Sequence, residues 1–137
     1  MTAASGSVEE VPIASDADVV RVRQLVRAFA TRAELSLVDQ TKLVTATSEL
    51  ARNTLVYGGG GVATVEMVTD GRRTGVRGSF HDDGPGIADT TLALADGWSS
   101  GKGLGLGLSG ARRLVDEFDL DTEVGRGTRV TVVKWSR

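Results

Sequence analysis

Gly101-Lys102-Gly103-Leu104-Gly105-Leu106-Gly107-Leu108 is the stretch on which the reading of this chain turns. Alternating Gly and Leu would suit a strand with one apolar face, but glycine weakens strands. Beyond it, Leu106, Leu108, Ala111, Leu114, Val115 and Phe118 recur at helical spacing. The segment therefore reads as a glycine-rich loop feeding a helix over about 104–118. Such a junction presents free backbone N–H groups and the positive end of a helix dipole, which is how a backbone cradles phosphate. Lys102 can add a charge contact. The pattern is not a P-loop, which needs Ser or Thr after its Gly-Lys, nor a dinucleotide fingerprint, which follows a first strand.

Working outward, the glycines are concentrated here: the chain has 18 among 137 residues, and eight fall between Gly84 and Gly110. Upstream, Val8, Val11 and Ile13 suggest a first strand. Ser15 with Asp18, and Ser36 with Asp39, resemble helix N-caps with an acidic third residue. They open helices running to about Glu34 and to Tyr57, the second stopped by the glycines at 58–61. Two β-rich stretches, 62–69 and 74–81, form a hairpin across Asp70-Gly71-Arg72-Arg73. Residues 82–103 read as a loop or lid with a short helix over 90–96, and 120–124 with 128–135 as a closing hairpin. The order β-α-α-β-β-lid-α-β-β predicts a two-layer α/β sandwich, with a mixed, mostly antiparallel sheet and helices on one face. Residues 1–7 are expected to be a disordered tail and 8–137 a single domain.

Composition removes other classes. The chain has no cysteine and one histidine, His81, so thiolate zinc sites, cysteine nucleophiles and multi-histidine metal sites are out. A net charge of −2 offers no electrostatic footprint for nucleic acid. No leader-like start and no apolar run of ~18 residues is present, which points to a cytoplasmic protein with no membrane partner.

Two further constellations carry possible chemistry. Glu49 and Asn53, four apart, share one face of the second helix. Alone they fit a solvated polar face; beside an anionic ligand, Asn can hold Mg²⁺ through its oxygen and Glu can act as a base. Asp82-Asp83-Gly84-Pro85-Gly86-Ile87 fits a β-turn. It also fits a site where a carboxylate, an acceptor only, takes a hydrogen bond from adenine N6 while the glycines let the ligand approach the backbone.

Taken together, Glu49-Leu-Ala-Arg-Asn53, Asp82-x-Gly-Pro-Gly86, Gly103-Leu-Gly-Leu-Gly107 and Gly125-x-Gly-Thr128 resemble, in order, the four nucleotide boxes of the GHKL (Bergerat-fold) ATPase and kinase superfamily. Within it the chain is most similar to the bacterial anti-sigma-factor type of serine/threonine kinase and its stressosome switch members, from about Val11 to the C-terminus. The resemblance implies ATP and Mg²⁺ as cofactors, Asn53 as the Mg²⁺ ligand and Glu49 as general base. It implies that Asp82 binds adenine, that Gly84, Gly86 and Ile87 shape the base pocket, and that Thr128 sits beside Asp82. Lys102, Gly103, Leu104, Gly105, Leu106 and Gly107 would meet the phosphates; Lys102 departs from the small residue expected there. The implied partners are a STAS-domain antagonist or stressosome scaffold as phosphoacceptor and a PP2C-type phosphatase activated by the freed kinase. The alternative is a nucleotide-dependent module that sequesters a sigma factor without phosphoryl transfer. Trp98 in the lid is a candidate ordered by nucleotide or partner, Trp135 a packing residue, and His81 a strand residue without catalytic duty.

Overall fold

The computed structural model describes residues 8–94 and 107–137. Lys102, Gly103, Leu104, Gly105, Leu106, Trp98 and the expected tail 1–7 lie outside the described residues. The element order is β1 (Val8–Ile13), α1 (Asp16–Arg32), α2 (Leu37–Val56), β2 (Gly61–Asp70), β3 (Arg73–Asp82), α3 (Thr90–Ala93), α4 (Leu108–Leu114), β4 (Glu117–Glu123) and β5 (Gly127–Trp135). The strands form one sheet in the order β1-β2-β3-β5-β4, and every pairing is antiparallel.

Both long helices start where the caps predict. The Ser15 side chain accepts the Asp18 N–H at 3.4 Å, and the Asp18 carboxylate accepts the Ala14 N–H at 2.8 Å. That N–H holds the Asp18 carboxyl below its ordinary pKa, opposed by desolvation and helped by the Ser15 hydroxyl and Arg21. Ser36 caps α2 through the Asp39 N–H at 3.1 Å. α1 ends slightly before the expected Glu34, which adopts a left-handed backbone (φ 63°) while the Leu35 N–H closes onto the Ala30 carbonyl at 3.0 Å.

The core lies between the helices and one sheet face. Val19, Val22, Val26 and Phe29 of α1 and Leu43 and Leu50 of α2 pack over Val65, Val76, Phe80 and Val132, all essentially inaccessible. On the opposite face Val68, Val133 and Trp135 make a small separate cluster, with the Arg73 guanidinium 4.6 Å from the Trp135 ring centre.

The expected helix over 104–118 is corrected in its second half. α4 stops at Leu114, and Phe118 belongs to β4. In β4 the half-buried Phe118, Leu120 and Thr122 alternate with exposed Glu117, Asp119, Asp121 and Glu123, and that period of two pairs the segment with β5. Phe118, four residues after Leu114, only mimics a continuation of the helical stripe. α3 covers Thr90–Ala93, shorter than the expected 90–96.

A charge cluster ties the first turn of α2 to the end of the sheet. Lys134 lies on the inner row of β5, buried, with its Nζ 3.6 Å from Asp39 and 3.4 Å from Asp116. Arg137 closes the cluster at 3.4 Å from Asp39. Removing one member of a buried ion pair leaves uncompensated charge and costs about 3 kcal/mol or more. Lys134→Met is therefore expected to lower the unfolding free energy by about 3 kcal/mol, read from urea denaturation; an unchanged midpoint and slope would show that Arg137 alone balances the two carboxylates.

Candidate functional site

The site begins at the end of β3. Alternation along Val76, Phe80 and Asp82 turns all three side chains toward the helices, so the strand's last residue delivers a carboxylate beneath the C-terminal end of α2. Asp82 is only 8% exposed. Its Oδ1 accepts the Gly84 N–H at 2.9 Å, and Thr128 lies directly across the β3–β5 ladder. Burial pushes its pKa above the ordinary aspartate value, an effect opposed by the Gly84 N–H, His81 and the Thr128 N–H.

Close backbone approaches surround that carboxylate. α2 ends with the Tyr57 and Gly58 amides on the Asn53 carbonyl, at 2.9 and 3.0 Å. A Cβ at Gly58 would run into the Asp82 carboxyl group, and one at Gly84 would come within 2.8 Å of the Gly58 Cα. Only glycine lets the helix end and the loop after β3 pack this tightly around a buried acid.

The 84–87 loop is held from three sides. Tyr57 Oη donates to the Gly86 carbonyl at 3.0 Å. The Gly125 N–H donates to the Pro85 carbonyl at 2.9 Å, and the Ile87 N–H to Thr122 Oγ1 at 2.9 Å. Gly86 itself has φ 75° and no room for a side chain against the Glu123 carbonyl.

Between this loop, α2 and the sheet lies a cavity with about 350 Å³ of empty space, its open mouth included. Leu50, Phe80, Ile87, Leu108 and Val130 form apolar walls, and Asn53, Asp82 and Thr128 bring polar groups to them. Apolar walls with a few convergent polar groups are the usual make-up of a small-molecule site. Glu49 is one helical turn before Asn53, at the cavity's edge, with its carboxylate packed against Gly107. Gly107 caps α4 with φ 65°, and a Cβ there would collide with Glu49.

Of the expected site residues, the structure thus brings Asn53, Asp82, Ile87 and Thr128 into one cavity, puts Gly84 and Gly86 in the loop behind it, and sets Glu49 and Gly107 together at its rim. His81 lies on the opposite sheet face, 3.6 Å from Asp83. Three contributors escape a reading by motif. Tyr57 stands four residues after Asn53 and eight after Glu49, a same-face spacing that could have revealed it. Gly58 reads only as a helix stop, and Thr122 only as a strand residue. Among the described residues no three His, Cys, Asp or Glu side chains gather as a metal site, and no helix is long and apolar enough to cross a membrane. A cation here would share the Asn53 oxygen with oxygens of a ligand and water, the coordination that Mg²⁺ favours.

Comparison with known proteins places these features in context. The family profile of histidine kinase-, DNA gyrase B- and HSP90-like ATPases (HATPase_c) matches residues 38–136. The chain is 42% identical over 127 residues to the serine/threonine-protein kinase RsbT of Bacillus subtilis (strain 168), covering 93% of this chain and 96% of that protein. A solved structure, the histidine kinase domain from the Erythrobacter litoralis EL346 blue-light activated histidine kinase, aligns at 20% identity with a TM-score of 0.45, over 90% of this chain and 60% of that one.

The buried acid has a stability consequence. A carboxyl whose pKa is raised on folding binds its proton more tightly in the native state. Its cost to stability is absent well below the unfolded value and fully present once pH exceeds the folded pKa. Asp82→Asn keeps the acceptor for the Gly84 N–H and removes the buried charge. The variant is expected to melt at a higher temperature than the parent at pH 7, with the difference vanishing toward pH 3; a lower midpoint at pH 7 would contradict the account of Asp82.

Proposed function

The chain belongs to the histidine kinase-, DNA gyrase B- and HSP90-like ATPase family and is a serine/threonine-protein kinase within it, and we propose that the cavity under α2 is its ATP site and Glu49 its general base. The observation that carries this reading is the convergence of Asn53, Asp82 and Thr128 in one apolar-walled cavity, with Glu49 one turn further along the same helix.

In this reading α2 acts as a ruler. Asp82 accepts a hydrogen bond from the adenine amino group near the helix's C-terminal end, and the faces of Leu50, Phe80, Ile87 and Val130 hold the base. Residues four apart advance about 6 Å along a helix, so Asn53 and then Glu49 follow the nucleotide from base to phosphates. Asn53 would hold Mg²⁺ jointly with phosphate oxygens, and the bound ion would supply neutralisation of phosphate charge. Gly107 would meet the same charge, and the resemblance implies the same for Lys102, Gly103, Leu104, Gly105 and Leu106. The acceptor hydroxyl oxygen forms a bond to the γ-phosphorus, the bond from that phosphorus to the β–γ bridging oxygen breaks, ADP departs, and the hydroxyl proton passes to the Glu49 carboxylate. Catalysis asks the protein mainly for positioning and electrostatic stabilisation.

The partners follow from the resemblance to stressosome switch kinases. The acceptor is a serine or threonine on a STAS-domain antagonist or stressosome scaffold, and the released kinase binds and activates a PP2C-type phosphatase. With radiolabelled ATP and a co-purified STAS protein, label is expected on the acceptor. Label remaining on ATP while a sigma factor co-purifies would favour sequestration instead.

A positioned general base contributes about 10²–10⁴-fold to rate. Glu49→Gln should therefore keep ATP affinity while slowing transfer by about 10²-fold or more; transfer at the parent rate would remove Glu49 from the mechanism. Because only the ionised Asp82 is an acceptor on both oxygens, ATP affinity should weaken as pH falls. The raised pKa of Asp82 places that loss at higher pH than an ordinary aspartate would. Calorimetric titration with Mg-ATP across pH 4–7 reads it, and an affinity independent of pH would count against Asp82 as the base-reading group.

A further inference from the structure

Thr122 stands behind the cavity rather than in its wall. It occupies the inward row of β4, half-buried, directly across the ladder from Thr128. Three groups converge on its Oγ1: the Ile87 N–H at 2.9 Å, the Gly127 carbonyl at 3.1 Å and Thr128 Oγ1 at 2.8 Å.

A hydroxyl has one proton to give and two lone pairs to offer. The Ile87 N–H can only donate and takes one lone pair. The Gly127 carbonyl can only accept, so Thr122 must give it the proton. One lone pair remains, and Thr128 can use it only by donating its own proton. This is the arrangement that satisfies all three contacts; turning the Thr122 proton toward Thr128 would forfeit the bond to Gly127. With its proton committed backward, Thr128 turns only lone pairs toward the cavity, beside the acceptor-only carboxylate of Asp82.

We propose that Thr122 is a specificity-determining positioning residue: by taking the Thr128 proton it makes Thr128 an acceptor, so that the cavity selects a purine carrying an amino group at C6 over one carrying a carbonyl. The inference rests on the reading of this cavity as the ATP site. An exocyclic amino group has two N–H donors and can satisfy both acceptors. A 6-oxo group meets two acceptors with a third, and sites whose polar groups are left unpaired by an analogue reject it strongly. Without Thr122 the Thr128 hydroxyl regains the freedom to rotate and donate, while Asp82 keeps part of the preference.

The test is calorimetric titration of Mg-ATP and Mg-GTP into the 137-residue chain and its Thr122→Val and Thr122→Ser variants, with thermal melts to establish that each is folded. One hydrogen bond of ordinary net strength corresponds to a change of up to about tenfold. Thr122→Val is expected to shrink the ATP-to-GTP affinity ratio by about 3- to 10-fold, and Thr122→Ser, which keeps the hydroxyl, to preserve it. Thr122→Ala replaces the valine variant if that one does not fold. Equal weakening of both nucleotides, or no change in either, would overturn the proposal, because a merely structural contact moves the two together. Asp82→Asn in the same titration separates the levels. If it leaves ATP affinity unchanged, the cavity is not the base site and both readings fall. If it abolishes ATP binding while the ratio in Thr122→Val stays at the parent value, only the role of Thr122 is lost.

Discussion

The rest of the architecture depends on one buried carboxylate meeting one helix end. Asp82 closes the inward row of β3, and α2 terminates directly above it at a glycine whose missing side chain makes room for the acid. Gly84 from the following loop and Gly127 from the next strand close in as well; a Cβ at Gly127 would strike the Asp82 carbonyl. A charged group under that much backbone weakens the fold, because desolvation favours its neutral form. Natural proteins keep such strained groups where function uses them. The chain concentrates its conformational freedom at the same place, with left-handed glycines at 86, 107 and 127 around the cavity.

Fixing the end of α2 fixes the phase of the whole helix. With Asn53 and Tyr57 turned toward the sheet end, Glu49 falls on the same side and meets Gly107. The far end is held by different physics: Asp39 in the first turn pairs with buried Lys134, which also reaches Asp116 between α4 and β4. A helix anchored by ion pairs at one end and by close packing at the other holds Glu49, Asn53 and Tyr57 in a set order along one side. The 84–87 loop gains a similar definition from the Tyr57 hydroxyl, the Thr122 hydroxyl and the Gly125 amide, which together fix one wall of the cavity.

Much of this was legible in the residues. Ser15 and Ser36 announce both helices, and two β-rich stretches about Asp70-Gly71-Arg72-Arg73 mark the β2–β3 hairpin, although β3 runs one residue past the expected His81 to take in Asp82. The layer architecture follows from the element order, because helices grouped on one side of an antiparallel sheet leave few alternatives. What the sequence concealed has physical causes. Phe118 stands four residues after Leu114, so a strand residue falls in helical register, and only pairing with Val132 on β5 decides between the two periods. Gly58 ends the helix and also clears space for Asp82, and a one-dimensional pattern reports only the first role. Tyr57 and Thr122 act through hydroxyls on backbone groups 29 and 35 residues away. Contacts across that separation leave no local signature.

In the proposed site, nucleotide sits between α2, the 84–87 loop and the inner ends of β3 and β5. Amide chemical-shift mapping of the nitrogen-15-labelled protein with Mg-ATP tests it most directly, because it reports the location without presupposing any one residue's role. Shifts are expected to concentrate at Asn53, Gly84, Gly86, Ile87, Gly107 and Thr128. Shifts centred on Arg77 and Thr131, across the opposite sheet face, with the cavity residues unmoved, would contradict it.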